Sequence, residues 1–407
     1  MSKLLHGCLK LTVVALLVAL ITSVAFLAGF AARASLTPEP ISVAVGPTSS
    51  EQEAFHIFWE SWHILERDFY GDLPDDQEMT YSAIHGVIDD LDDNYTAFLE
   101  PELAAVVRED MSGSFEGIGA VVNMNDDGQL EIVQTLDGRP AAQAGLRAGD
   151  IVLAVGDTVI EEMSVFEAVA LIRGPAGSVA RLTIKRQGVE EPFVVEVVRQ
   201  RIEMATVESK MLDDGIAYLR LSEFNAQAAS KLRDGLQSLL AEEPRGLIFD
   251  LRDNPGGFLS VSVEIGSQFV GEGPILIEKL KDDQDRDYLA QGGGLATDDP
   301  PLVVLVNGGT ASASEIVAGA IQDTGRGTLI GEQTLGKGSV QLSHHLSDGS
   351  ELRVTIARWF TPNGRAIHEE GLAPDIRVDI TEEDIEAGRD PQLQRAIEHL
   401  RGLTGAK

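Results

Sequence analysis

The chain has 407 residues, of which 43% are hydrophobic and 24% charged, a composition typical of globular proteins with two or three domains. Its formal net charge of −33 argues against nucleic acid as the main partner, because an excess of carboxylates repels phosphates. The single cysteine, Cys8, excludes an intramolecular disulfide and a cysteine-rich metal site.

The first 34 residues have the pattern of an export signal. Lys3 and Lys10 precede a largely apolar stretch, residues 11–30, and Ala32-Arg33-Ala34 resembles a signal cleavage site. The apolar stretch is also long enough to span a bilayer. Segment 1–34 is therefore either a cleaved signal peptide or a retained transmembrane anchor, and both place the remainder outside the cytoplasm, on the periplasmic or cell-surface side.

Helical periodicity follows a Pro- and Ser-rich linker at residues 35–50. In the helical region, residues 51–112, five apolar side chains fall on one helix face: Phe55, Phe58, Trp59, Trp62 and Leu65. Pro101 is expected to open a further short helix. A region of this size forms little core alone, so we expect it to pack on another element or to form a homo-oligomer.

Residues 113–200 change to short strands separated by glycine-rich turns, which predicts a small β-barrel with two helices. The turn Gly117-Ile118-Gly119-Ala120 exposes successive backbone N–H groups that can hold a terminal carboxylate while a peptide pairs with a strand edge. The alternative is that these glycines only permit tight turns. Together with the string Ala144-Gly145-Leu146-Arg147-Ala148-Gly149-Asp150-Ile151-Val152, the turn resembles a PDZ domain of the protease-associated kind.

Residues 201–380 alternate predicted strands, among them 216–221 and 302–306, with predicted helices, among them 312–323. This alternation indicates an α/β layered domain, and residues 381–407 are predicted to form a helical tail. Within the predicted α/β domain, Ser312 follows the apolar run 302–306 at a predicted strand-to-helix junction. A helix N-terminus favours an anion, so Ser312 is a candidate nucleophile and the N–H of Ala313 a candidate oxyanion donor. Alternatively, Ser312 only caps the helix, with Glu315 as its capping-box partner.

Lys337 lies between Gly336 and Gly338 and is the candidate general base. A lysine must be neutral to act as a base, which burial in an apolar site makes possible. If the following residues form a strand, Gln341 lies on the same face as Lys337 and can orient it. A solvent-facing Gln341 is the alternative.

The turn 253–257 follows a buried strand, and Gly256 or Gly257 can supply a second oxyanion N–H; the sequence does not say which. The alternative is a plain turn, since Pro-Gly is a common breaker pair. The segment 331–337 nearly matches a nucleotide-binding P-loop, but Gly338 stands where Ser or Thr should hold magnesium. The histidines show no metal-ligand spacing, so no metal or cofactor is implied.

The joint pattern resembles the carboxyl-terminal processing proteases, also called tail-specific proteases. The matching strings are 246–257, 306–316, 336–341 and 359–364. The resemblance implies a multidomain α/β protein with a Ser-Lys peptidase core, in which Ser312, Lys337 and Gln341 are catalytic. It also implies protein substrates whose apolar C-terminal tails are recruited by the PDZ domain. The alternative function is a non-catalytic PDZ scaffold that binds C-terminal peptides.

Overall fold

The computed structural model describes residues 49–125, 127–161, 163–281 and 284–405. The predicted signal segment 1–34 and nearly all of the predicted linker lie outside the described residues. In the described part, no helix is both long and apolar enough to cross a membrane. The chain divides after Glu78 into two compact units.

The first unit contains the predicted aromatic helix. Its helices are α1 (Ser49–Ala54) and α2 (His56–Asp68), and α3 (Asp76–Asp89) begins at its end. Along α2, the ring of Phe58 makes edge contacts with the rings of Phe55 and Trp59, at centroid separations of 6.1 and 5.2 Å. The helix is thus confirmed, and no side chain of α2 is buried.

A short strand and a helix lead from α3 into the barrel. These are β1 (Ala97–Leu99) and α4 (Pro101–Met111). Pro101 occupies the first turn of α4, as predicted, where its missing N–H costs no hydrogen bond. Strand β1 pairs with a strand some 250 residues later in the chain, so it belongs to the sheet of the following domain.

The next elements form the predicted small barrel with two helices. They are β2 (Ser114–Gly117), β3 (Ala120–Met124), β4 (Leu130–Thr135), α5 (Pro140–Gln143), β5 (Ile151–Val155), β6 (Thr158–Val159), α6 (Val165–Ile172), β7 (Val179–Lys185), β8 (Phe193–Val198) and β9 (Gln200–Glu203). Strands β3-β4-β5-β7-β8 follow in that order in one sheet, with β6 paired to β5, while β2 pairs with β9. Buried aliphatic side chains such as Ile132, Leu182 and Ile184 fill its interior.

The remaining elements build the α/β part. They are β10 (Val207–Leu212), β11 (Ile216–Leu221), α7 (Ala228–Leu240), β12 (Gly246–Asp250), α8 (Leu259–Gly266), β13 (Pro274–Leu280), β14 (Asp285–Leu289), β15 (Leu302–Val306), α9 (Ala313–Asp323), β16 (Gly327–Gly331), β17 (Ser339–His345), β18 (Glu351–Phe360), β19 (Ile376–Arg377), α10 (Glu382–Glu386) and α11 (Pro391–Thr404). A single 3₁₀ turn, Asp213–Gly215, joins β10 to β11.

The main sheet has the order β10-β11-β12-β15-β16-β19, and all its pairs except β10–β11 are parallel. Strands β12 and β15 are buried throughout, which agrees with their uninterrupted apolar sequences. Val304 and Val306 face a core shared with α7, α8 and α9, whereas Val303 and Leu305 face a second core closed by Leu400 of α11. Loops after β12 and β15 consequently meet at one edge, where α/β proteins form their sites.

A second, antiparallel sheet stands beside the first, with the order β1-β18-β13-β14 and with β17 also paired to β18. Its central strand β18 carries Trp359, which is buried in the main core. The second sheet brings the segment that contains Lys337 toward the edge of the first.

Candidate active site

Ser312 lies in the turn between β15 and α9. The predicted helix begins one residue later, at Ala313, because Ser312 is its N-cap with φ +55° and ψ −116°. A positive φ is uncommon for a residue with a side chain and is maintained only by its surroundings. Here Ala311 N–H donates to the carbonyl of Asn254 at 3.0 Å, and the Ser314 hydroxyl donates to the same carbonyl at 2.9 Å.

The glycine turn after β12 lies directly against this junction. Gly256 has φ +100°, and a Cβ atom added there would lie 2.8 Å from Ser312 Cβ and 2.9 Å from Ala313 N. The N–H of Gly256 donates to Asn254 Oδ1 at 2.9 Å. The N–H groups of Gly257 and Ala313 have no hydrogen-bond partner among the described residues. Of the two glycines that the sequence left open, Gly257 is therefore the one with an available donor.

Lys337 lies in a loop immediately before β17, and contacts with other segments hold the backbone on both sides of it. Its carbonyl accepts the indole N–H of Trp359 at 3.1 Å. Gly336 has φ +90°, and its carbonyl accepts the N–H of Glu369 at 2.8 Å. Gly338 lies so close to His368 N that a side chain there would collide. The two flanking glycines are thus needed for backbone conformation and close approach.

Glu315 joins the serine turn to the lysine loop. Its side chain is fully buried, and Oε2 accepts the N–H of Ser312 at 2.8 Å and the N–H of Lys337 at 2.9 Å. Oε1 accepts the Thr334 hydroxyl at 2.6 Å and the N–H of Gly336 at 2.8 Å. Burial raises the pKa of Glu315, although these four hydrogen bonds oppose the shift. The predicted hydrogen bond from Glu315 back to the N-cap is present, and it coexists with a connection between the two loops.

The surroundings of the Lys337 amine favour its neutral form. Burial lowers the pKa of Lys337, and the nearby charge of Arg353 lowers it further. The Arg353 guanidinium is itself paired with Glu351 at 2.8 Å. The ring of Tyr95 lies under the amine, with 5.2 Å between Nζ and the ring centroid.

Gln341 is in β17, and its amide donates to the Ser339 hydroxyl at 2.8 Å and to the Thr355 hydroxyl at 3.3 Å. A register irregularity separates Val340 from Gln341. No hydrogen bond joins the side chains of Gln341 and Lys337 in the described part of the chain. In this structure the Gln341 amide is thus engaged by two hydroxyls and not by the amine with which the sequence paired it.

One cavity of about 680 Å³ is lined by all six residues predicted for the active site: Ser312, Ala313, Lys337, Gln341, Gly256 and Gly257. Its other lining includes Tyr95 and charged side chains of both signs, among them Arg108, Glu223 and Glu351. The geometry thus gathers a hydroxyl, an amine disposed to be neutral and two available backbone donors around a single space, which suits acyl transfer.

A second set of polar contacts connects the start of α11 to the segments that precede the glycine turn and the lysine loop. The Arg252 guanidinium donates to Asp250 at 2.7 Å and to Asp390, the N-cap of α11, at 2.9 Å. The buried amide of Gln392 accepts from Arg252 at 3.2 Å and donates to Glu332 at 3.0 Å. Arg252 precedes the glycine turn and Glu332 precedes the lysine loop, so the start of α11 connects the bases of both.

The barrel contains the predicted carboxylate-binding turn between β2 and β3. Gly119 has φ +74°, and the carbonyls of Ile118 and Gly119 accept the N–H groups of Ala141 at 2.8 Å and Leu136 at 3.0 Å. The N–H groups of Ile118 and Gly119 have no partner among the described residues. Because buried N–H groups are nearly always paired, these two are open to an acceptor from a ligand.

Sequence reasoning assigned no catalytic or positioning role to three residues of this site. Tyr95 lies far away in the chain, Ser339 resembles an ordinary strand residue, and Glu315 was interpreted only as a cap. The alternation of β17 contained a signal for Ser339, since residues two apart share a strand face. No local pattern indicated the contact of Tyr95.

Comparison with known proteins agrees with this fold. The sequence model of peptidase family S41 matches residues 215–378, and that of the PDZ domain matches residues 131–186. A carboxy-terminal-processing protease of Bartonella bacilliformis is 36% identical over 87% of this chain and 82% of that protein. A carboxyl-terminal-processing protease of Synechocystis sp. is also 36% identical, over 84% of this chain and 82% of that protein.

Among solved structures, the photosystem II D1 C-terminal processing protease is 30% identical, with a TM-score of 0.50 over 82% of this chain and 94% of that one. The fold and the site thus define a serine-type peptidase with a PDZ domain. The chain belongs to peptidase family S41, the family of the carboxy-terminal processing proteases. The comparisons support the enzyme and not the non-catalytic scaffold that the sequence left as an alternative.

Proposed function

We propose that this protein is a serine endopeptidase that cleaves proteins near their C-termini, with Ser312 as nucleophile and Lys337 as general base. The observation that carries the proposal is the shared acceptor: Glu315 Oε2 receives the backbone N–H groups of both residues. The lining of one cavity by both side chains supports the same assignment.

In this mechanism, Ser312 Oγ attacks the scissile carbonyl carbon as its proton moves to Lys337 Nζ. The tetrahedral intermediate collapses when the C–N bond breaks and Lys337 returns the proton to the leaving amine. Water then attacks the acyl-enzyme, with Lys337 again taking and returning a proton. The lowered pKa of Lys337 favours the neutral amine that begins the cycle.

We assign the oxyanion donors to the N–H groups of Ala313 and Gly257, because Gly256 donates its N–H to Asn254. Gln341 is the orienting residue, although in this structure its amide donates to the hydroxyls of Ser339 and Thr355. A direct hydrogen bond between Gln341 and Lys337 requires a side-chain rearrangement when substrate binds, since catalytic contacts are often long in the free enzyme.

The PDZ domain, residues 113–200, recruits an apolar substrate tail through Gly117-Ile118-Gly119-Ala120. The two unpaired N–H groups of Ile118 and Gly119 suit a terminal carboxylate, and the edge of β3 can accept the tail as an added strand. The helical region 51–112, the peptidase core 201–380 and the helical tail 381–407 complete the proposed organisation.

The pattern of residues 1–34 supports an extracytoplasmic location, on the periplasmic or cell-surface side, after export as a signal peptide or with retention as a transmembrane anchor. The exposed aromatic side chains of Phe55 and Trp59 are consistent with self-association into a homo-oligomer. Sequencing the mature N-terminus and measuring the mass in solution test these two points.

Cleavage of a folded protein with an apolar C-terminal extension tests the central proposal. We expect Ser312→Ala and Lys337→Ala to lose cleavage by several orders of magnitude while retaining the parent's melting temperature within a few degrees. Parental rates in both variants would refute the Ser-Lys assignment.

Amidation of the substrate's C-terminus should weaken recruitment, and equal binding of the amidated and free tails would refute the carboxylate-binding turn.

A further inference from the structure

Tyr95 contacts the atom that the proposed mechanism protonates. The Lys337 Nζ lies 5.2 Å from the centroid of the Tyr95 ring, within the range in which an ammonium is attracted to an aromatic face. Tyr95 lines the same cavity as Ser312 and Gln341. The ring therefore belongs to the active-site wall although it precedes the peptidase core in the chain.

Hydrogen bonds and strand pairing hold the backbone on both sides of Tyr95. Its N–H donates to the Asp93 carboxylate at 3.3 Å, and the Thr96 hydroxyl donates to the same carboxylate at 2.6 Å. The Thr96 hydroxyl in turn accepts the N–H of Thr355 in β18 at 3.1 Å, and β1 continues the pairing with that strand. The His368 ring makes an edge contact with Tyr95 at a centroid distance of 5.9 Å. These contacts hold the ring in one place.

The charged groups around the amine are engaged elsewhere or oppose its protonation. Arg353 repels an ammonium. Glu351 is paired with Arg353 at 2.8 Å and faces His345 at 3.4 Å, and Glu223 accepts from the Asn225 amide at 3.4 Å. The cavity's ionisable lining is completed by Arg108. Within the described residues, no carboxylate forms an ion pair with Lys337, and the aromatic face is its recorded partner.

We propose that Tyr95 is the positioning residue of the general base: its ring face holds the Lys337 side chain in the cavity and stabilises the ammonium formed when the serine proton is transferred. The proposal rests on the assignment of Lys337 as general base. It explains how a proton can be accepted by an amine that is buried beside an arginine. The attraction arises from the negative face of the ring, so the phenolic hydroxyl is not required.

Three substitutions separate the ring face from other properties of Tyr95. Tyr95→Phe keeps the face and removes the hydroxyl, whereas Tyr95→Leu removes the face. A trifluorinated phenylalanine incorporated at position 95 keeps the shape and weakens the negative potential of the ring. For each variant, kcat and KM for a tail-bearing protein are measured across pH, together with the melting temperature.

Loss of the ring face should lower kcat roughly 2- to 30-fold, the effect of about 0.5–2 kcal/mol of cation–π attraction, with KM nearly constant. It should also move the acid limb of kcat/KM to lower pH, because an ammonium without the ring gives up its proton more easily. Tyr95→Phe should retain the parent's limb, and the trifluorinated variant should fall between Tyr95→Phe and Tyr95→Leu.

An acid limb that stays in place in the trifluorinated variant would overturn the proposal, even if Tyr95→Leu fails to fold. Equal losses in Tyr95→Phe and Tyr95→Leu would also overturn it, because the hydroxyl would then be the important group. Lys337→Ala is assayed in parallel. If it retains activity, the general-base assignment fails; if it is inactive while the limb of the Tyr95 variants does not move, only the role of Tyr95 fails.

Discussion

Glu315 and Lys337 are joined by a hydrogen bond of 2.9 Å from the backbone N–H of the lysine to Oε2 of the carboxylate. The same oxygen accepts the N–H of Ser312 at 2.8 Å. A single buried atom therefore fixes the distance between the backbones of the proposed nucleophile and base. Such preorganisation matters because displacements of about 1 Å can reduce catalytic rates by about 10²-fold.

Replacing Glu315 with glutamine should damage both stability and activity. The NH₂ group of the glutamine would replace an oxygen that accepts two hydrogen bonds, so two buried donors would face a third donor. We therefore expect a loss of about 2–4 kcal/mol in the free energy of unfolding. We also expect kcat to fall about 10- to 100-fold as the loops separate. Glu264→Gln, at an exposed position of α8, is the matched control. Denaturant unfolding and cleavage rates that are equal in the two variants would contradict the role of Glu315.

Gly256→Ala should inactivate the enzyme while leaving much of the fold intact. The added Cβ would lie 2.8 Å from the carbonyl oxygen of Ala311 and 2.9 Å from Ala313 N, at a φ of +100°. The displaced oxyanion donors should reduce kcat about 10²-fold. Gly308→Ala has open space and is the control, since no atom lies within 4 Å of its added Cβ. A steady-state assay that finds Gly256→Ala as active as Gly308→Ala would exclude the proposed packing.

Lys337→Met should make the protein inactive but more stable at neutral pH. Burial lowers the pKa of Lys337 in the folded state, so at pH 7, below the unfolded pKa, folding either removes the proton from this amine or buries the amine with its charge. Removing it should add about 1 kcal/mol to the free energy of unfolding at pH 7. As the pH rises from the folded pKa toward about 10.4, the value for the unfolded chain, the parent loses this penalty and the difference should disappear. Urea titrations at several pH values measure the difference, and a gap that widens with pH would show the opposite shift.

Gly119→Ala should abolish tail binding. An added Cβ would lie 2.6 Å from Arg139 Cβ, which must displace the proposed carboxylate-binding turn. Gly128→Ala has a similar φ, +71° against +74°, but no neighbour within 4 Å, so it controls for backbone strain alone. We expect fluorescence titration with an apolar peptide to show at least about tenfold weaker binding for Gly119→Ala only. Comparable affinities in the two variants would remove this turn from recruitment.

Local patterns were sufficient for most of the fold. The strands at Ile216–Leu221 and Leu302–Val306 were predicted with their observed bounds, because each is an apolar run of strand length between turns. The helix after Ser312 was predicted one residue too long. The serine has a strained N-cap conformation, which depends on contacts with the glycine turn and cannot be inferred from the helical pattern.

The parts of the candidate site that depend on contacts between distant segments could not be predicted from the sequence. Gly256 and Gly257 were indistinguishable in sequence, and the hydrogen bond from Gly256 to Asn254 separates them in the structure. The expected contact of Gln341 with Lys337 is absent from the described hydrogen bonds, because the amide is occupied by Ser339 and Thr355. The role of Gln341 in catalysis stays a prediction.

The hydrogen bonds of α11 affect both active-site loops. Asp390 and Gln392 tie the last long helix to Arg252 and Glu332, at the bases of the two active-site loops. The start of α11 therefore supports the bases of the glycine turn and the lysine loop together. A change that broke these contacts would loosen both loops at once, so damage at the start of α11 would lower cleavage although Asp390 and Gln392 do not line the cavity.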